Sequence, residues 1–241
     1  YRDGYAPSDV DTQTYLFLDS VLGQPNNPPG FPATWVDSSG GTVFAADYEM
    51  DPAIRNHAQY GSQLSNSLVS LPSLSLVMAP RDLFGVTGIY VNGGSDENAS
   101  WERPASLELI YPDGQAGFQI DCGARPHTHV QRKRSFKLLF KAEYGADKLR
   151  YPVFRNAPWH GDSAADEFDR LILRAGSNDS WQSQSFQGNS ARYATYTRDQ
   201  MVRDSLLAAG GFGARGTFAH LYINGLYWGL YNLTERPDNW F

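Results

Sequence analysis

Three lysines in one short segment are the side chains of this sequence best suited to bind a phosphate group. From Lys133 to Lys141 the residues largely alternate between polar and apolar, which predicts a half-buried strand. Its polar face carries Lys133, Lys137 and Lys141, and a lysine that projects from a strand can hold the phosphates of a nucleotide. The strand pattern alone favours the other interpretation, in which these lysines face solvent.

A second group that could do chemistry consists of Cys122, His127 and His129, whose side chains are all ligands of transition metals. Their C-x4-H-x-H spacing matches no standard zinc signature, and a fourth ligand is not evident. We therefore expect no metal site here. The sequence also lacks a G-x-S-x-G nucleophile elbow, a Walker P-loop and a Rossmann glycine fingerprint, which argues against the enzymes that use them.

The charge and composition of the 241 residues argue against several classes of partner. A formal net charge of -6 disfavours nucleic acid or an anionic membrane as the main partner, because phosphate contacts need clustered Lys and Arg. The single cysteine, Cys122, excludes an intrachain disulfide. No apolar run approaches the roughly 20 residues that span a bilayer, so we expect no membrane span.

Turn and strand signals divide the chain into an N-terminal extension, residues 1–66, and a domain over residues 67–241. The extension joins a short helical pattern to a proline-broken loop, and we expect it to be an arm whose core is borrowed from elsewhere. The domain begins with short segments that predict an antiparallel meander, namely SLSLVMA, GIYVNG, SLELIY and GFQID. A further strand, FDRLILR, is predicted at 168–174.

One helix is well signalled near the C-terminal end of the sequence. Thr197 and Gln200 form a capping-box pattern, which predicts that a helix begins there. Val202, Leu206 and Ala209 are expected to form its inward stripe, and two glycines then end it.

A closing hairpin is the strongest local prediction of the sequence. Asn224-Gly225 is the favoured two-residue turn and sets Ile223 opposite Leu226. Simple alternation then assigns the side chains of the second strand to two faces. Both faces are largely apolar, which predicts that the hairpin lies in the centre of its sheet. The two predicted faces are Leu226, Trp228 and Leu230, and Tyr227, Gly229, Tyr231 and Leu233.

Four segments, in this order and at this spacing, resemble the CotH-like family of spore-coat protein H kinase-like proteins: KRSFKLLFKAEYG, FDRLILRAGSNDSW, YTRDQMVRD and HLYINGLYWGLYNLTERPD. The hairpin motif N-G-x-Y-W-G-x-Y-x-L-x-E is the most specific of them, and the likeness covers roughly residues 70–241. Members of this family are atypical kinases of spore coats and of large secreted bacterial proteins. They use ATP and a divalent metal to phosphorylate Ser or Thr of partner proteins.

The resemblance implies a fold class and a set of binding residues. The fold would be α+β, an antiparallel-sheet-rich, atypical kinase-like N-lobe with one packed helix and the loop-rich N-terminal extension. Lys133 matches the K-x-S lysine of the family, Arg174 its L-R arginine, Asp199 the start of its helix and Glu235 the exit from its hairpin. Together with Lys137 these are the residues expected to bind ATP, with Mg as the accompanying metal.

Two functions from different classes are open. The first is ATP-dependent phosphorylation of a protein substrate. The metal-binding and catalytic aspartates of the family have no counterpart in this sequence, so we expect this chain alone to be inactive. The glycine- and serine-rich loop of the family is also replaced, by CGARPHTHVQR, which offers fewer free backbone donors. The second function is a non-catalytic extracellular module that self-assembles through residues 1–66. Both imply a secreted or cell-surface bacterial protein.

Overall fold

The computed structural model describes residues 12–36, 43–90, 99–128, 133–155, 164–176, 179–181 and 193–237. The chain in these ranges is built mainly from strands. They are β1 (Thr34–Val36), β2 (Val43–Ala45), β3 (Ser73–Val77), β4 (Arg103–Ile110), β5 (Phe118–Thr128), β6 (Ser135–Leu139), β7 (Leu149–Arg150), β8 (Glu167–Phe168), β9 (Arg170–Arg174), β10 (Gly216–Ile223) and β11 (Leu226–Glu235).

Seven of the strands close into a barrel in the order β3-β4-β5-β6-β9-β11-β10 and back to β3. The pair that closes the ring, β3 and β10, is parallel, with Leu74 opposite Leu221. All the other neighbours in the ring are antiparallel. A ring with an odd number of strands cannot alternate direction all the way round, so the parallel pair is a geometric requirement of closure.

The predicted fold class, a kinase-like N-lobe with an antiparallel sheet and one packed helix, is wrong. The strands close on themselves, which removes the two edges that an open sheet would leave with unpaired backbone groups. Closure also gives the inward side chains of all seven strands one shared apolar core. Among the buried members of this core are Leu74, Leu76, Leu107, Leu109, Ala124, Phe136, Leu138, Leu171, Leu173, Leu221 and Leu233.

Most of the predicted strands are confirmed. SLSLVMA contains β3, SLELIY the second half of β4, GFQID the start of β5 and FDRLILR contains β9. The prediction for GIYVNG is wrong over residues 88–90, which form a turn, and its other residues lie outside the described ranges. The hairpin of β10 and β11 has a strand neighbour on each side, so its central position is confirmed.

The helices of the described residues are short apart from the last one. They are α1 (Leu18–Leu22), α2 (Pro52–Arg55), α3 (Leu64–Leu68), α4 (Pro80–Phe84) and α5 (Arg198–Ala208), with 3-10 turns at Gly61–Gln63, Ala99–Trp101 and Ala142–Tyr144. Within the described ranges, no helix has the length and apolar character needed to cross a bilayer. Two small antiparallel pairs, β1 with β2 and β7 with β8, lie outside the barrel.

The described part of residues 1–66 packs against the barrel of its own chain. Three of its aromatic rings, those of Phe31, Trp35 and Tyr48, pack beside Trp228 of β11, with ring centroids 5.8 to 6.3 Å from that indole. The side chain of Gln24 also pairs with the backbone of Tyr227, accepting from its N–H at 2.8 Å and donating to its carbonyl at 3.2 Å. This segment therefore shares the barrel core. Phe84 and Tyr90 of the domain itself also contact Trp228, with centroid distances of 6.3 and 5.4 Å.

Helix α5 is where the sequence predicted it, but its cap and its inward face differ from the prediction. Thr197 makes no capping hydrogen bond through its side chain. The carboxylate of Asp179 instead accepts from the N–H of Arg198 at 3.2 Å, because a separate segment reaches the first turn. The buried residue of the helix is Gln200, whereas Val202 and Leu206 are exposed, so the predicted inward stripe is wrong.

Candidate functional site

The site is organised by an irregularity in β11, the strand that follows the Asn224-Gly225 turn. Ile223 lies opposite Leu226 as predicted, and Asn224 has a positive φ of 49°, as this turn requires. The register then shifts, because Leu221 pairs with Gly229 and Tyr222 with Tyr227, which leaves Trp228 as the extra residue of a β-bulge.

The bulge exchanges the two faces of the remainder of β11. Leu226 and Trp228 contact the core on one side of the irregularity, whereas Tyr231 and Leu233 contact it on the other. The predicted assignment of Trp228 and Leu230 to one face, opposite Tyr231 and Leu233, is therefore wrong. One inserted residue is sufficient to exchange the two faces, because successive side chains of a strand point to opposite sides of the sheet.

Gly229, next to the bulge, creates the space that Lys133 occupies. Its φ is +112°, a left-handed conformation that favours glycine. A Cβ at this position would lie 3.0 Å from Nζ of Lys133. The group that approaches this glycine is the lysine of the K-x-S motif.

The amine of Lys133 is held by β11 and by two aromatic rings. Its Nζ donates to the carbonyl of Leu230 at 2.5 Å. The same nitrogen lies 4.4 Å from the ring centre of Tyr231 and 5.5 Å from that of Tyr196, distances at which a cation interacts favourably with an aromatic face. Tyr231 is itself fixed, because its hydroxyl donates to the carbonyl of Arg134 at 2.8 Å.

Burial dominates the electrostatics of Lys133. Only 9% of the residue is exposed, and among the described residues no carboxylate forms an ion pair with it. The loss of water therefore lowers the pKa of Lys133 from its ordinary value of 10.5 to about 7. A buried amine in this state can gain an anion as a partner or lose its proton.

A small cavity adjoins Lys133. It is lined by Trp35, Asp47, Tyr48, Tyr90, Tyr227 and Trp228 in addition to the lysine, and its volume is about 40 Å³. That space holds a few waters, whereas sites for nucleotide-sized ligands measure about 300 Å³ or more. The cavity itself therefore does not accommodate a nucleotide.

Lys137 and Lys141 have different neighbours from those of Lys133. Lys137 lies between Arg125 of β5 and Ile172 of β9, on the outer face of the barrel, and is 5% exposed. Lys141 forms an ion pair with the buried carboxylate of Glu102 at 2.6 Å. The lysine face of β6 is thus not a solvated surface at Lys137, and the role of Lys137 in ATP binding stays a prediction.

Arg174 and Asp199, two of the residues implied by the resemblance, contact each other. Nη2 of Arg174 lies 2.5 Å from Oδ2 of Asp199, which joins the end of β9 to the first turn of α5. Arg203 extends this polar contact, because its guanidinium donates to Gln200 at 2.7 Å and to Asn232 at 2.6 Å. These groups attach α5 to the outside of the barrel by polar contacts, which explains why its apolar residues face solvent.

Glu235 lies at the end of β11 and forms an ion pair with Arg215. Its Oε2 accepts from the N–H of Arg215 at 2.8 Å and lies 3.5 Å from the guanidinium of the same residue. The structure therefore brings Arg174 together with Asp199, whereas Glu235 has a different arginine as its partner. A role for these three residues in nucleotide binding stays a prediction.

The possible metal ligands are not gathered into a site in the described ranges. No group of three or more His, Cys, Asp or Glu side chains suited to a metal ion occurs there. Cys122 is buried in the barrel core, where the loss of water raises the pKa of its thiol. His127 contacts Arg236, and His129 lies outside the described residues.

Sequence reasoning missed the groups that surround the lysine. The ring of Tyr196 and the carbonyl of Leu230 come from segments far from Lys133 in sequence, and neither position carries a local signal for this contact. Asp179 was missed for the same reason, because it reaches α5 from a loop 19 residues earlier.

The family comparison agrees with the motifs. Residues 125–241, which contain β6, β9, α5 and the closing hairpin, match a family model described as CotH kinase protein. No curated protein matches the chain. The match includes Lys133 and the strand that holds it, as well as both partners of the Arg174–Asp199 pair. Over residues 125–241 the chain thus matches the CotH kinase family, which its motifs resemble.

Proposed function

We propose that Lys133 binds a phosphate group of ATP and that the chain serves ATP-dependent phosphorylation of Ser or Thr in a partner protein. The observation that supports this most directly is the buried amine that forms no ion pair with a carboxylate of the described residues. A phosphate oxygen would provide a negative charge in direct contact with this amine. The family match is consistent with this chemistry at the level of the family.

The proposal has an electrostatic consequence. A bound anion favours the charged form of Lys133 and raises its pKa again from about 7. Binding at mildly alkaline pH must therefore take up a proton at this nitrogen. The chemistry that ATP supplies when bound is the transferable phosphoryl group, and the contribution of Lys133 is to bind and orient the phosphates.

The described residues fit the two proposed cofactors differently. A phosphate oxygen fits Lys133, whose amine already donates to a carbonyl and has further N–H groups. Magnesium prefers carboxylate and other oxygen ligands, and the described ranges contain no acidic cluster suited to it. No step is therefore assigned to the metal, and the contribution proposed for the described residues is the phosphate contact.

Thermal unfolding with and without ATP tests the proposal. A ligand that binds only the folded state stabilises it by RT ln(1 + [L]/Kd), about 2.7 kcal/mol at a hundredfold excess over Kd. We expect ATP to raise the Tm of the wild-type protein and to leave that of Lys133→Met unchanged. Lys148→Met is the matched control, because Lys148 is an exposed lysine paired with Glu167. Equal responses of wild type and Lys133→Met would contradict the phosphate contact.

The same experiment separates the proposal from the non-catalytic assembly module. No response of the wild-type protein to ATP at millimolar concentration would favour the assembly module. The packing of the described part of residues 12–66 against its own barrel removes one argument for assembly through this segment. A secreted or cell-surface location in bacteria is also a proposal, and it depends on the family alone.

A further inference from the structure

Tyr196 has an unusual backbone conformation for an aromatic residue. Its φ is +61°, in the left-handed region that side chains other than glycine rarely adopt. The residues on either side are held by one carboxylate, because Asp179 accepts from the N–H of Thr195 at 2.8 Å and from the N–H of Arg198 at 3.2 Å. The backbone that carries Tyr196 is therefore fixed, and strain of this kind is commonly kept where it serves a function.

The fixed backbone directs the ring of Tyr196 toward Lys133. The ring centre lies 5.5 Å from Nζ of Lys133. Trp181 also packs against Tyr196 in a T-shaped arrangement, with a centroid distance of 5.0 Å, and Trp181 is 72% exposed. The two rings thus connect the buried amine to the protein surface.

Of the described groups that contact the amine, Tyr196 is the one that lies outside the barrel strands. The carbonyl of Leu230 belongs to a barrel strand, and Tyr231 is fully buried with its hydroxyl bound to the backbone. Tyr196 is only partly buried and contacts an exposed ring. Since the cavity beside Lys133 holds only a few waters, an anionic ligand must displace a side chain to reach the amine.

We infer that Tyr196 is a lid over Lys133, and that an anionic group of the ligand reaches the amine by taking the place of the Tyr196 ring. This inference rests on the proposed function, since it describes access to the same amine. In the absence of ligand the two tyrosine rings stabilise the ammonium group in place of a carboxylate. When the phosphate binds, its negative charge replaces one of these rings as the partner of the ammonium group.

The test is the reactivity of Lys133 toward a small acetylating reagent, measured by peptide mass spectrometry relative to the exposed Lys148 of the same molecule. Tyr196→Gly removes the ring and suits the observed φ, so this variant is expected to fold. Tyr196→Phe keeps the ring and is the matched control. We expect the relative reactivity of Lys133 to rise about fivefold or more in Tyr196→Gly and to stay unchanged in Tyr196→Phe.

Equal reactivity of Lys133 in the wild type and in Tyr196→Gly would overturn the lid. Unfolding of the variants is checked by far-UV circular dichroism, and a folded Tyr196→Gly protein keeps the comparison valid. A second arm adds ATP to Tyr196→Gly, where access is already open. A lack of protection of Lys133 in that arm contradicts the proposed phosphate contact, whereas the shielding of the amine by Tyr196 is decided by the first arm alone, so the two failures are distinguishable.

Discussion

Replacement of Lys133 by methionine should remove a pH dependence from the stability of the folded protein. Burial lowers the pKa of Lys133 from 10.5 to about 7, so between these values the unfolded chain binds a proton that the folded chain does not. By linkage the free energy of unfolding must then rise with pH in this range. The sign is opposite to that of a lysine stabilised by an ion pair.

The magnitude follows from the two pKa values. Between pH 7 and pH 9 the difference in proton binding adds about 2 kcal/mol to the free energy of unfolding. For a domain of this size that corresponds to a rise in Tm of roughly 4 to 8 °C. In Lys133→Met the contribution is absent, while the aliphatic part of the side chain still fills the space beside Gly229.

Urea denaturation of the wild-type, Lys133→Met and Lys148→Met proteins at a series of pH values measures this contribution. We expect the wild type and Lys148→Met to gain stability together from pH 7 to pH 9, and Lys133→Met to gain less by about 2 kcal/mol. The difference between variants cancels the other groups that titrate in this range. Parallel profiles for all three proteins would refute the argument that a dehydrated amine is present in the folded state.

Three further substitutions test the local geometry. Gly229→Ala should lower the free energy of unfolding by about 1–3 kcal/mol, because alanine disfavours the positive φ and its Cβ would contact the amine of Lys133. Gly145→Ala is the control, since Gly145 has a φ of +135° and open space around it, so urea denaturation of this variant measures the cost of the backbone conformation alone. Asn224→Gly keeps the turn but removes two hydrogen bonds to the end of β3, so the urea midpoint should fall by an amount equivalent to about 1–3 kcal/mol. Asp179→Ala should increase hydrogen exchange in the first turn of α5 and cost about 0.5–2 kcal/mol, whereas an equal effect of Thr197→Ala would contradict the observed cap.

Features set by neighbouring residues could be predicted from the sequence. The turn at Asn224 and the pairing of Ile223 with Leu226 depend on two central residues, and both are confirmed. The alternation of β6 likewise identified Phe136 and Leu138 as core residues. Signals of this kind are local, because they reflect the backbone preferences of a turn and the period of a strand.

Features that depend on distant segments could not be predicted in this way. The bulge at Trp228 exchanges the faces of β11, and a single inserted residue leaves no periodic signal. Helix α5 turns polar residues such as Arg203 toward polar partners on the barrel, among them Asn232, and therefore exposes Leu206. The sequence of the helix does not reveal these partners. For Lys133 the sequence identified the residue but neither its neighbour Gly229 nor its burial, which depends on the rings of Tyr196 and Tyr231.

The parallel pair that completes the barrel also has a consequence for how the chain reaches its native state. Hydrogen bonds between Met78 and Asn224, at the end of this pair, join residues that are 146 positions apart. Contacts of such long range form late and slowly, because most of the chain must be ordered before its ends can meet. Until then β3 and β10 are open edges that other copies of the chain can pair with. Refolding at high protein concentration should therefore lose material to aggregation at this last step, and dilution should recover it.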